Sequence, residues 1–233
     1  MTASEDLLSS IRGKFGTILA DPPWRFQNST GKVAPEHKRL SRYPTMTLEE
    51  IKLLPVDLFA KDSSHLYLWV PNALLPEGLA VMEAWGFKYK SNFIWHKIRK
   101  DGGPDGRGVG FYFRNVTEII LFGTRGKNAR TLAPGRSQVN FLATQKREHS
   151  RKPDEIFPII EACSSGPFLE LFAREKRKGW TVWGNQAPEK ENTFAGPTHG
   201  KAYSSQMTQG KWAQATFIDT AQPASSAILK TAL

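Results

Sequence analysis

One short stretch of this chain carries the residue types needed to do chemistry at a nitrogen: Asp21-Pro22-Pro23-Trp24. An amino group attached to an aromatic ring is a poor nucleophile, because its lone pair is delocalised into the ring. It reacts only when held so that the nitrogen can pyramidalise. The Asp21 carboxylate and the Pro22 carbonyl can each accept one of the two amino hydrogens, which leaves the lone pair aimed at an electrophile. The two prolines fix φ and turn the carbonyl inward, while Trp24 offers a flat apolar face on which a base can stack. The plainer alternative is a turn capped by a core tryptophan.

The elements that would position these residues follow from apolar patterning. The run Phe15 to Ala20 directly before Asp21 reads as a short buried strand, so the tetrapeptide sits at its carboxyl end, where open α/β sheets bind ligands. Leu7, Leu8 and Ile11 have helical spacing within residues 1–14. Thr47 with Glu50 three residues later predicts a capping box at a helix start. Further strands are predicted at His65 to Val70, Phe87 to Ile98, Glu118 to Gly123, Phe168 to Ala173 and Trp180 to Gly184. Helices are predicted over Leu74 to Trp85, with Gly86 as the stop signal, and over Lys152 to Cys163. Alternation of strands and helices implies an α/β fold with a mostly parallel sheet flanked by helices. The polar, basic stretch from Arg25 to Pro44 is long for a connection and reads as a functional loop. Residues 187–233, rich in Gly, Ser, Thr and Gln, read as a polar, partly disordered tail behind a domain spanning 1–186.

Composition narrows the partners. With 32 Lys and Arg against 22 Asp and Glu, the chain carries a formal net charge of +10, which favours a polyanion such as nucleic acid. No run approaches the ~20 apolar residues of a membrane span, and the N-terminus lacks a signal-peptide pattern, so a cytoplasmic protein is expected. A single cysteine, Cys163, and five scattered histidines give no metal-ligand spacing, and no metal is expected.

In the order of its motifs the chain resembles the MT-A70 family of S-adenosylmethionine-dependent N6-adenine methyltransferases. The resemblance covers roughly residues 14–186. It rests on Lys14 to Trp24, Tyr43-Pro44-Thr45-Met46, Leu68-Trp69-Val70, Phe93 to Lys97, Gly123-Thr124-Arg125-Gly126, His149 to Glu155, Glu170-Leu171-Phe172-Ala173-Arg174 and Trp183-Gly184-Asn185-Gln186. It implies a Rossmann-like methyltransferase domain in permuted order, with the catalytic motif ahead of the cofactor strand. On this resemblance Lys152 to Glu155 begins the helix before the cofactor strand, and Glu170 to Arg174 is that strand with its turn. Glu170 also suits this role on its own chemistry, since a carboxylate at a strand end can accept hydrogen bonds from ribose hydroxyls. Asp21, Arg125, Glu170, Leu171, Phe172, Arg174, Asn185 and Gln186 are thereby expected to bind S-adenosylmethionine. Trp24, Tyr43, Lys97 and Arg125 are expected at the target nucleotide. His96 stands where the family often has an apolar residue.

The implied reaction is direct methyl transfer to adenine N6, with Asp21, Pro22, Pro23 and Trp24 as the catalytic motif. A target base inside a duplex would have to be flipped out, at a cost of a few kcal/mol. The basic segments Lys32 to Arg42, Arg99 to Arg107, Arg125 to Arg136 and Lys146 to Lys152 can track phosphates. No RNA-recognition module or zinc finger accompanies the motif, which favours DNA over RNA as substrate, in a monomer or homodimer. The alternatives are an RNA N6-adenosine methyltransferase and a catalytically inactive, nucleic-acid-binding relative.

Overall fold

The computed structural model describes residues 2–25, 45–105, 112–145 and 151–184. Helix α1 spans Ala3–Ser10 and opens on a capping box, with Thr2 accepting from the Glu5 amide and Glu5 accepting from the Thr2 amide. Strand β1, Phe15–Ala20, follows. The expected box at Thr47 and Glu50 starts helix α2, Leu48–Lys52. Then come β2, Ala60–Val70, α3, Leu75–Ala84, β3, Lys88–Ile98, and β4, Thr117–Arg125. Strand β5, Phe141–Gln145, precedes α4, Ile156–Cys163, and the described chain closes with β6, Phe168–Leu171, and β7, Trp180–Trp183.

The seven strands form one sheet in the order β5-β3-β4-β2-β1-β6-β7. β1 pairs in parallel with β2 on one side and with β6 on the other. The chain therefore leaves β1 in one direction and returns much later on its other flank, which opens a crevice at the carboxyl ends of these strands. β6 and β7 are parallel, as are β3 and β5, but β4 runs antiparallel to both β2 and β3. The sheet is thus mixed, mostly parallel with one strand reversed. Apolar content alone carries no direction, so the reversal of β4 was invisible in its sequence.

Every residue of β1 is buried, because both faces of the sheet are covered. Ile18, Leu66, Leu68 and Val70 pack on one face with Leu7 and Ile11, with Ile51 of α2, and with Val81, Met82 and Trp85 around α3. Leu19, Tyr67 and Trp69 point to the other face and pack with Ile156, Phe157 and Ile160 of α4. The buried indoles also tie elements together through their N–H groups. Trp85 donates to the Ile51 carbonyl at 3.0 Å and Trp183 to Asp6 Oδ2 at 2.8 Å, joining α3 to α2 and β7 to α1.

Two expectations about boundaries change. The helix expected from Lys152 begins only at Ile156, because residues 152–155 form a turn in which the Pro153 carbonyl accepts from the Ile156 amide at 3.3 Å. Strand β5 was not anticipated; its Phe141-Leu142-Ala143 core is too short to stand out in sequence. The loop from Arg25 to Pro44, apart from Arg25 itself, and the 187–233 segment lie outside the described residues.

Candidate active site

Asp21 follows the last residue of β1, and the turn behind it is held by backbone bonds. The Trp24 amide donates to the Pro22 carbonyl at 2.8 Å, and the Met46 amide donates to the Pro23 carbonyl at 2.9 Å. The Pro22 carbonyl keeps its second lone pair for another donor. Trp24 itself is only 6% exposed, lies in the core, and donates its indole N–H to the Trp69 carbonyl at 2.9 Å. Instead of presenting an open face to a base, it pins the turn that follows Asp21 to the end of β2. A large ring with one donor is satisfied by burying the ring and pairing the N–H, and both happen here.

Around Asp21 the structure assembles charges drawn from distant parts of the chain. The Lys152 ammonium lies 3.3 Å from Asp21 Oδ1 and 2.7 Å from Glu118 Oε2. Glu118 is also paired with Lys97. The result is an alternating row, Asp21, Lys152, Glu118, Lys97, across the carboxyl edge of the sheet. Below it, the Lys152 Nζ sits 4.4 Å over the Trp69 ring and Lys97 5.1 Å over Trp95. Burial raises the Asp21 carboxyl above its ordinary range; Lys152 opposes this, and Arg174 is near enough to pull the same way as Lys152. Burial also pushes Glu118 up, but Lys152 and Lys97 outweigh it and hold Glu118 below the usual value. Lys152 is disfavoured as a cation by burial, yet its two carboxylate partners raise it overall. The row is therefore internally neutralised, with the ammonium of Lys152 as its hinge.

The second half of the crevice is the end of β6. Glu170 pairs in register with Leu19 of β1 and Val182 of β7, one position before Ala20 meets Leu171. Burial pushes its carboxyl up to about 7, against the pull of Arg177 and with help from the nearby Asp21 charge. Among the described residues no hydrogen bond satisfies it. Phe172 takes a left-handed φ of 63°, uncommon for a residue with a large side chain, and its ring meets Trp183 edge-on at 5.2 Å. Gly184 lies so close behind that a Cβ there would stand 2.3 Å from the Ala173 carbonyl oxygen. This tight turn beside an unsatisfied, half-buried carboxylate fits a ligand that offers hydroxyl donors, as the ribose of S-adenosylmethionine does. Leu171 is 1% exposed, so its side chain belongs to the core.

Most of the sequence-derived residues converge: Asp21, Pro22, Pro23, Lys97, Glu170, Phe172 and Arg174 lie along this edge. Arg125 does not. Because β4 is reversed, Arg125 pairs with Ser64 near the start of β2, roughly 16 Å of strand from the level of Asp21. There its guanidinium donates to the Asp57 carbonyl at 3.0 Å. The same reversal brings the other end of β4, and with it Glu118, to the site. Tyr43, Asn185 and Gln186 lie outside the described residues.

Glu118 and Lys152 were missed as site residues. Glu118 had a legible signal, a lone carboxylate at the head of the run Ile119-Ile120-Leu121, but it needed the strand's direction to be used. Lys152 had none beyond its place in a motif. Asn72, just past β2, adds a buried Oδ1 acceptor without a partner among the described residues, although its Nδ2 is engaged by Thr117 and Asn115.

Comparison with known proteins matches the MT-A70 family model over residues 15–186. Type II methyltransferase M.MunI from a Mycoplasma species is 28% identical over 212 residues, 82% of this chain and 84% of that protein. A probable N(6)-adenosine-methyltransferase MT-A70-like protein of rice is 33% identical over 180 residues, 76% of this chain. The human N(6)-adenosine-methyltransferase catalytic subunit METTL3 is 30% identical over 181 residues, again 76% of this chain. The chain spans only 23% of the rice protein and 29% of the human one.

Proposed function

The chain belongs to the MT-A70 family, and from that premise we propose that it is an S-adenosylmethionine-dependent methyltransferase acting on N6 of adenine in nucleic acid, with DNA as the preferred substrate. The observation that carries this reading is the placement of Asp21 beside Glu170 at the carboxyl ends of adjacent parallel strands. One carboxylate serves the amino group to be methylated and the other the cofactor's ribose. When bound, S-adenosylmethionine supplies an electrophilic methyl group.

The chain's own residues do the positioning. Asp21 and the Pro22 carbonyl accept the two N6 hydrogens, which turns the nitrogen lone pair outward from the turn. Trp24, fastened to Trp69, keeps that turn rigid. Lys152, 3.3 Å from Asp21, opposes the upward push of burial on its carboxyl and so favours the carboxylate form, which stabilises positive charge as it grows on nitrogen. Glu118 and Lys97 hold Lys152 in place from the far side. Arg174 adds positive charge near Asp21. Asn185, Gln186 and Tyr43 are proposed to complete cofactor and base binding, as the family resemblance implies.

DNA is favoured because a relative of matching length is a type II methyltransferase, whereas the rice and human N(6)-adenosine-methyltransferases are matched over a minor part of their length. The test is incubation with labelled S-adenosylmethionine and DNA, RNA or protein separately, followed by nucleoside mass spectrometry. N6-methyldeoxyadenosine in DNA is the expected product. Label in protein alone would overturn the reading, and label in RNA alone would replace DNA by RNA. Asp21→Ala should lower turnover by about 10²–10³-fold while leaving nucleic-acid affinity within twofold.

A further inference from the structure

The two edges of the sheet carry their positive charge differently. At the carboxyl edge the cations are neutralised within the protein: Lys97 and Lys152 pair with Glu118, Lys152 also with Asp21, and Arg151 and Arg177 with Asp154. At the opposite edge, where β1, β2 and β3 begin and β4 ends, Lys14, Lys61, Lys88, Lys90, Lys127 and Arg130 are all exposed. Among the described residues none of these six is paired with a carboxylate, and Lys61 Nζ reaches only the Gly166 carbonyl, at 3.4 Å. The acids on this edge are Asp57, Asp62 and, at the end of α3, Glu83, which leaves positive charge in excess.

Strand register sets these cations side by side. Phe15, directly after Lys14, pairs with Ala60, directly before Lys61. Ser64 pairs with Arg125, and Gly126, at a left-handed φ of 84°, packs against the Asp62 carbonyl, so Lys127 lies beside the start of β2. Lys88 pairs with Thr124 on the other side of β4. The Ala129 carbonyl, 3.2 Å from His65 Nε2, brings Arg130 to the same edge. From β1 through β2 and β4 to β3 are three strand spacings, about 14 Å. Duplex DNA carries one charge about every 1.7 Å of its axis, so several phosphates face an edge of this width. The exposed residues among the cations, Ser63, Gly126 and Asn128, are small or polar apart from Tyr89, so the apolar core of a protein interface is missing.

We propose that this amino edge of the sheet is a second nucleic-acid contact, which holds the phosphate backbone of a duplex away from the catalytic crevice and keeps the polymer on the protein while no target base is engaged. The two sites are separate: Phe15, where β1 starts, is six residues of extended chain from Asp21, about 20 Å. Binding through lysine charge is independent of base sequence. The proposal goes beyond the methyltransferase reading and rests on it only for the choice of nucleic acid among polyanions.

Two measurements test it on the full chain. In the first, the wild type is acetylated briefly with and without a mixed-sequence DNA duplex, and each lysine is read by mass spectrometry. Lys14, Lys61, Lys88, Lys90 and Lys127 should be protected severalfold by the duplex and not by S-adenosylmethionine. In the second, fluorescence anisotropy over a range of salt compares the wild type with Lys14→Gln/Lys88→Gln/Lys127→Gln on the same duplex. The variant should lose about tenfold or more in affinity, and its slope of log affinity against log salt should flatten by about 2 to 3, one for each phosphate contact removed. Its melting temperature and S-adenosylmethionine affinity should match the wild type. Unprotected lysines overturn the proposal, as does an unchanged salt slope in the variant. Protection by anionic phospholipid vesicles but not by duplex also overturns it, because the edge would then face a membrane. If the wild type shows the protection yet leaves no N6-methyladenine in any nucleic acid, the catalytic reading fails and the contact stands. If it methylates adenine with these lysines unprotected, the contact fails and the catalytic reading stands.

Discussion

Glu170 is a residue whose chemistry the fold alters strongly. Its carboxyl titrates near 7 because burial disfavours the charged form. The folded value lies above the unfolded one, so folding binds a proton, and the associated stability is present at low pH and lost as pH rises through about 7. Glu170→Gln should therefore raise the melting temperature at about pH 8 and change it little near pH 4. Ribose hydroxyls donate to the ionised form, so cofactor affinity in the wild type should strengthen from about pH 6 to pH 8, with proton release, and the Gln variant should bind more weakly and lose this dependence. Calorimetric titration at both pH values checks it; a variant retaining the same pH dependence would remove Glu170 from the cofactor site. The contrast with Trp24 is instructive at this scale. Its identity was legible as part of the motif, but a tryptophan's sequence neighbours do not say whether its face is open or buried. The carbonyl of Trp69, 45 residues away, decides that.

Among the elements, β2 and α3 show how closely the frame of the site is packed. A Cβ added at Gly78 of α3 would come within 2.5 Å of Val70 Cγ2 and 2.7 Å of Val70 Cγ1, at the end of β2 that leads into Pro71-Asn72. Two effects compete in Gly78→Ala. Helix propensity favours alanine by about 1 kcal/mol, while overpacking against a strand side chain costs about 1–3 kcal/mol. Val70 is β-branched and held in a central strand, so it cannot swing aside, and a net loss of about 1–2 kcal/mol is expected. Urea denaturation reads this as a lower midpoint at unchanged slope; a raised midpoint would mean that α3 shifts freely on the sheet. Strand β4 teaches the complementary lesson. Its run Ile119 to Phe122 marked it as a buried strand, but its reversal, set by pairing with β2 and β3, decided that Glu118 and not Arg125 reaches Asp21.

At the scale of the whole molecule, a net charge of +10 predicts attraction to nucleic acid that weakens linearly in log salt, with a slope of about −0.9 for each duplex phosphate engaged. A duplex affinity that barely responds to salt would contradict a phosphate-tracking surface. Charge supplies attraction without chemistry, and the chemistry came from a four-residue motif. By itself the sequence determined the short-range features: the strand before Asp21, the capping box at Thr47, the helix stop at Gly86, where φ is 78°, and the family to which the ordered motifs belong. These depend on neighbours a few residues apart, and pattern along the chain records them. What only the tertiary structure decided was which distant charges meet. The row from Asp21 through Lys152 and Glu118 to Lys97 joins residues up to 131 positions apart. Their meeting depends on strand order and direction, which arise when the whole sheet buries both faces and not from any local preference.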